Sequence, residues 1–383
     1  MLIVYRHELG LTAGAVAGLF LVYALTLIPG LLIGGPASDR FGRRPVVLPF
    51  VALSPLATLL LVLGPRSLAM LAAGRALAGL CSGVVFGSAT AWVQELSPRD
   101  GLSAPRSALA LTAGFGLGPV VAAVLAQWVR DPLVVPYLPH LVIGTAAVLV
   151  LWRTPDRRPA AVRPGRRTWA PSAARTARFW LVVAPAAPLV FGSVSLAIVV
   201  LPEDVTSARS LSAGFAGLMT ALSFAAAVAV QPLARRLRDT LAGAAAGLGF
   251  ATAGAGIGIA AVAHSDQVLA GAAAVLLGLA YGLCLVSGLR QAEEMAAPDE
   301  RGTVIACYYV VAYLGFAAPY LVDGLGALAG KTGALVLLTG IIAMLTLWTA
   351  GFAVSQRRAA AQGPEGGASA GGLNRAGRTG TSK

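Results

Sequence analysis

The chain has 383 residues, 57% of them hydrophobic and only 12% charged, with a formal net charge of +13 and a mean hydropathy of +0.77. A soluble globular domain carries about a quarter charged residues, so this composition excludes an ordinary water-soluble fold and points to a bilayer. The basic excess does not read as a nucleic-acid surface, because the arginines sit in short clusters between apolar runs rather than along one polar face.

A helix of about 20 mostly apolar residues spans the hydrocarbon of a membrane. In chain order, eleven stretches meet that length: 11–34, 45–64, 68–93, 106–128, 134–152, 179–201, 211–232, 240–263, 267–290, 302–322 and 332–354. The fifth opens on a crowded Pro136, Pro139 and His140. Prolines and glycines inside these stretches do not argue against helices, because neighbouring helices re-satisfy freed backbone groups in a membrane. The 46 glycines fit close helix packing. An all-α membrane protein is therefore expected.

The connections between spans alternate in charge. Residues 35–44, 94–106, 153–178, 233–239, 291–301 and the tail hold nearly all the basic residues, among them Arg157, Arg158, Arg163, Arg166, Arg167, Arg235, Arg236 and Arg238. The alternate set offers only Arg6, Arg66, Arg130, Arg209 and Lys331. The positive-inside rule places the first set, and the C-terminus, in the cytoplasm. Residues 153–178, rich in Arg and Pro, read as a cytoplasmic linker between bundles at 1–152 and 179–355. Residues 356–383 read as a disordered tail. The two halves echo each other: Pro36 and Arg40 match Pro232 and Arg236 at an offset of 196, Glu95 matches Glu294 at 199, and Pro119 matches Pro319 at 200. A duplicated bundle of this kind is a frequent transporter architecture.

The segment between the first two spans, GPASDRFGRRP, places Gly35, Asp39, Arg40, Phe41, Gly42, Arg43 and Arg44 in the order of a known signature. It resembles the loop between the second and third helices of the major facilitator superfamily. RALAGLCSG, from Arg75 to Gly83, resembles that family's fourth-helix Arg-Gly motif. GFGLGP, from Gly114 to Pro119, resembles its fifth-helix Gly-Pro motif, associated with antiporters. The resemblance covers roughly residues 1–355. It departs at Pro105, at Ala122 and Ala123, where glycines are usual, and at Arg235, which stands where a second Asp39 would be.

The resemblance implies two helix bundles built from inverted repeats, with twelve helices in the family against eleven visible here. Only Met1 to Tyr5 precede the polar Arg6, His7 and Glu8. That pattern reads as the last turn of a first helix, so Met1 is expected to be a misassigned start or the chain a degraded gene product. It further implies a gating role for Gly35, Asp39, Arg40, Gly42, Arg43 and Arg44, with Asp39 meeting arginines and a helix N-terminus across the bundles. Arg75, deep in its span, is expected to carry a coupling or substrate charge. Gly114, Gly118 and Pro119 are expected to give helix flexibility. Tyr23, Phe115, Tyr281, Tyr309 and Tyr313 are candidates to line a central cavity suited to amphipathic organic molecules.

The expected function is secondary active transport of a small organic molecule across the plasma membrane of a bacterium, as efflux coupled to proton entry. Metabolite or sugar uptake and a non-transporting remnant stay open. No Asp or Glu lies in the middle of any visible span, which leaves the proton carrier unassigned. Cys81, Cys284 and Cys307 lie apart in apolar runs, and His7, His140 and His264 have no ligand neighbours, so neither an enzyme nor a metal site is expected. With no P-loop, ATP drive is not expected either. The partners expected are a small-molecule substrate, protons and the lipid bilayer, with no cofactor and no nucleic acid; the chain is expected to be a monomer.

Overall fold

In the bilayer core no water satisfies backbone N–H and C=O groups, so an apolar chain closes its hydrogen bonds within helices. The structure, a computed structural model, describes residues 4–5, 8–97, 102–156, 172–205, 209–237 and 239–361. Arg6, His7, Arg157, Arg158, Arg163, Arg166, Arg167, Arg238 and the tail from residue 362 lie outside the described residues.

The helices are α1 (Ala13–Phe41), α2 (Arg43–Leu63), α3 (Leu68–Leu96), α4 (Ser103–Trp128) and α5 (Leu138–Arg153) in the first half. The second half holds α6 (Phe179–Val205), α7 (Arg209–Ala229, continued by Gln231–Arg236), α8 (Thr240–His264) and α9 (Gln267–Met295). It ends with α10 (Arg301–Tyr313) and α11 (Ala318–Ala361), joined by a tight turn at Leu314–Ala317. Among the described residues ten helical segments are long and apolar enough to cross a membrane, the last running from Arg301 to Arg358. Its 58 residues would reach about 87 Å as one straight helix, nearly three times the hydrocarbon thickness. Gly330, at φ 73°, breaks it. The Arg301 end lies beside Asp39 and Arg357 pairs with Asp239, whereas Lys331 pairs with Asp204 and Asp323. The segment therefore goes out and back, making eleven crossings among the described residues.

The expected connection at residues 35–44 is mostly helix: α1 continues through Gly34 and Gly35 to Phe41, and only Gly42, at φ 99°, breaks the path before α2. At the other end, α11 extends to Ala361, so residues 356–361 are helix rather than tail.

Within each half, small residues let helices touch. A Cβ on Gly83 of α3 would fall 2.2 Å from the Leu27 carbonyl of α1, and one on Gly278 of α9 would fall 2.1 Å from the Ser223 carbonyl of α7. Such approaches suit helices that must pack without a hydrophobic drive. Large apolar side chains such as Ile143, Leu149, Leu328 and Leu347 point outward and are exposed, as lipid-facing residues are. Between the halves, α1 and α3 meet α10, and α4 meets α7 and α9.

Candidate functional site

The seam between α1 and α10 carries a buried ionic knot. Asp39, in the last turn of α1, is only 6% exposed, and its carboxylate accepts four hydrogen bonds. Oδ1 takes the Gly302 amide at 2.8 Å and the Arg43 guanidinium at 2.7 Å; Oδ2 takes the Thr303 amide at 2.7 Å and the Thr303 hydroxyl at 2.6 Å. Gly302 and Thr303 open α10, so their amides are among those with no partner inside the helix. A carboxylate there also meets the positive end of the helix dipole. Arg43 is 4% exposed and extends the knot to α3, donating to Glu95 at 2.6 and 3.1 Å, while it also donates to Ser38 Oγ at 2.7 Å.

Glycine makes room for this arrangement. A Cβ on Gly302 would stand 2.5 Å from Arg43 Nη1, and one on Gly35 would stand 2.7 Å from the Gly302 carbonyl. At Gly42 the positive φ turns the chain so that the Arg43 amide reaches Asp156 at 3.3 Å. Arg40 and Arg44 stay outside the knot: Arg40 is exposed and stacks over Phe41 at 5.0 Å, and Arg44 stacks over Trp152 at 5.7 Å. Ser38, Glu95, Gly302 and Thr303 complete the site beyond the signature residues. Glu95 is marked in the sequence as the repeat partner of Glu294, but nothing local marks Thr303.

Toward the middle of the membrane, rings from both halves meet. Phe191 of α6 lies 5.5 Å from Phe115 of α4, 4.5 Å from Tyr313 and 4.7 Å from Phe316. Phe86 of α3 stacks with Tyr313 at 6.1 Å, and Tyr281 meets Phe224 at 5.6 Å. The Tyr309 hydroxyl lies 3.1 Å from Thr90 Oγ1, bridging α10 and α3. Phe115, Tyr281, Tyr309 and Tyr313 therefore share one cluster, with the Tyr313 hydroxyl buried and unpartnered, and Tyr23 packs against the same core. These rings pack directly against one another across the two halves.

Arg75 lies on α3, half-buried, with its Nε buried and without a hydrogen-bond partner. It lies within electrostatic range of Tyr5, Tyr23 and Tyr137. Tyr5 is fully buried and its hydroxyl bonds that of Tyr137. Of the Gly-Pro motif, Gly114 and Gly118 have open space where a side chain would be. The tight approach on α4 is at Gly116, where a Cβ would come within 2.9 Å of Phe224 on α7. Pro119 lies inside α4 on an exposed face. Among the described residues no cluster of His, Cys, Asp or Glu could hold a metal ion.

The second half builds the matching corner differently. Arg235 and Arg236 are exposed. Asp239 caps α8, accepting from the Leu241 and Ala242 amides at 3.0 and 3.1 Å, and pairs with Arg357 at 2.7 Å.

Comparisons with known proteins agree with this geometry. Multidrug resistance protein D of Escherichia coli (strain K12) is 35% identical over 119 residues, which cover 31% of this chain and 29% of that relative. The match thus spans less than a third of the relative's length. The crystal structure of the human organic anion transporter MFSD10 (TETRAN) has the same fold, with a TM-score of 0.68 at 17% identity over 91% of this chain and 88% of that one. The profile of the Major Facilitator Superfamily matches residues 1–192 and again 183–378. An all-helical membrane fold, an ionic knot across its two halves and that double match lead to one conclusion: the chain belongs to the major facilitator superfamily and is a transporter, not an enzyme.

Proposed function

We propose that the chain exports a small amphipathic organic molecule by alternating access, coupled to proton entry. The observation that carries this reading is the four-bonded Asp39, which clamps one face of the molecule shut across the two halves. The arginine-rich connections support a cytoplasmic position for that face, and on this reading the conformation is closed to the cell interior. Both termini of the second bundle, the linker at 153–178 and the tail then lie in the cytoplasm as well. Opening requires the knot to break and the aromatic cluster to part, which would make room for a substrate between the rings of Phe86, Phe115, Phe191 and Tyr313. Arg75 supplies the charge for coupling or for an acidic group of the substrate, because an arginine at that depth costs about 3 kcal/mol unless something meets it. The similarity to a protein named for multidrug resistance supports outward flux of drug-like compounds. The chain acts as a monomer in the plasma membrane.

The test is flux in proteoliposomes carrying the purified chain and a planar fluorescent dye. An inward proton gradient should drive the dye against its own gradient, and Arg75→Gln should abolish that coupling. Dye movement indifferent to the proton gradient would overturn proton-driven export, and no movement under any gradient would overturn transport by this chain.

A further inference from the structure

At the cytoplasmic rim, the N-terminus of α10 receives its carboxylate from the opposite half, through Asp39. The offset of 199 that aligns Glu95 with Glu294 aligns Gly302 with Ser103, the first residue of α4. The repeat therefore holds a second helix N-terminus facing the opposite half. Arg235, the counterpart of Asp39 at the offset of 196, is exposed and has the wrong sign for that position. A different residue fills it. Ser103 is buried, and its hydroxyl donates to Glu293 Oε2 of α9 at 2.7 Å.

The counterpart of Glu293 in the first half is Gln94, which is 4% exposed and has neither amide atom hydrogen-bonded. Each helix start thus meets one carboxylate from across the seam, α10 through its amides and α4 through the Ser103 hydroxyl, but the two repeats supply it from different helices. Next to α10 it comes from α1 and the Gln94 position is neutral. Next to α4 it comes from α9 and the Asp39 position is an arginine. One turn before Glu293, Arg290 donates to the Ala234 and Leu237 carbonyls at 3.0 and 2.7 Å, holding the end of α7. A single turn of α9 therefore ties the end of α7 in its own half to the start of α4 in the other.

We propose that Glu293, with Ser103, is a second gating contact, which holds the α4–α9 side of the cytoplasmic rim closed while Asp39 holds the α1–α10 side. The inference rests on reading the chain as an alternating-access transporter. Closure then needs both contacts, and opening releases two carboxylates from two helix starts.

The test measures the distance between spin labels in the full chain in lipid nanodiscs, with Cys81, Cys284 and Cys307 replaced by Ser. Labels at Arg153→Cys and Asp299→Cys, both exposed and one on each half, report opening of the rim. Glu293→Gln should raise the ratio of open to closed molecules by about threefold to tenfold, and Ser103→Ala should move it in the same direction. Ser103→Thr, which keeps the hydroxyl, should stay near wild type, as a merely structural role would not require. Combined with Asp39→Asn, Glu293→Gln should open the rim further than either alone. If Asp39→Asn opens the rim and neither Glu293→Gln nor Ser103→Ala does, the second contact is overturned and the transporter reading stands. If none of the three moves the distances, both fail. Should Glu293→Gln fail to fold, Ser103→Ala decides by itself.

Discussion

The Asp39 carboxylate illustrates how much one buried charge depends on its full set of partners. Removing one partner of a buried ion pair costs about 3–5 kcal/mol because it strands the other charge. Here Arg43 keeps Glu95 when Asp39 is neutralised, so the loss falls mainly on the seam. Asp39→Asn is expected to raise labelling of a cysteine placed at Thr90, beneath the knot, by about tenfold or more with a water-soluble maleimide, since bonds to charged groups are worth about 1.5–3 kcal/mol. Gly302→Val should act in the same direction without altering any charge, because its side chain would displace the Arg43 guanidinium and Ser38. A parallel rise in labelling, with a lower melting temperature, checks this second variant. In the sequence, Asp39, Gly42 and Arg43 could be read as gate residues because the signature fixes their order. Their partners could not. Gly302 and Thr303 are 263 and 264 residues away from Asp39, and their role comes from starting a helix, not from their side-chain types alone.

At the scale of the helix, composition settles existence and packing settles ends. The eleven apolar runs all became crossings, because a bilayer leaves an apolar backbone no alternative. The span expected to end at residue 34 runs on, because Gly34 and Gly35 bring α1 against α3 and α10 instead of turning the chain. The start of α8 offers a test of capping. Burial would push the Asp239 carboxyl up, but the Ala242 and Leu241 amides and Arg357 outweigh it and hold the carboxyl below its ordinary value. Its contribution to stability is thus complete above the unfolded carboxylate range of about pH 3.9 and falls away on acidification through the lower native value. Asp239→Ala should destabilise the chain by about 1 kcal/mol at neutral pH. It should also flatten the acid limb of a melting-temperature profile taken between neutral and strongly acidic pH.

For the whole molecule, the question is what keeps two bundles closed on one side. The α3–α10 seam provides a reporter, since a Cβ built on Gly87 would lie 3.2 Å from that of Ala306, close to the spacing of about 3.5–4.5 Å found in disulfides. Gly87→Cys with Ala306→Cys should cross-link under mild oxidation, stop substrate flux, and recover flux on reduction. Flux that continues in the cross-linked protein would show that the two halves do not separate along this seam.

The amino-acid sequence by itself determined the solvent, the helical class, the duplication and the charge asymmetry of the two faces. Each of these depends on local composition or on residues close together in the chain, where bilayer physics leaves few options. Tertiary structure alone decided that Arg40 and Arg44 stay outside the knot while Arg43 enters it, although all three belong to one motif. It also decided that Gly116, not Gly114 or Gly118, is the point of close approach on α4, and that rings from α3, α4, α6 and α10 meet one another. The physical reason is that these facts depend on how two separately folded bundles are rotated against each other. A turn of about 100° per residue sends neighbours in the sequence to different faces, so the seam selects among them only once both bundles are packed.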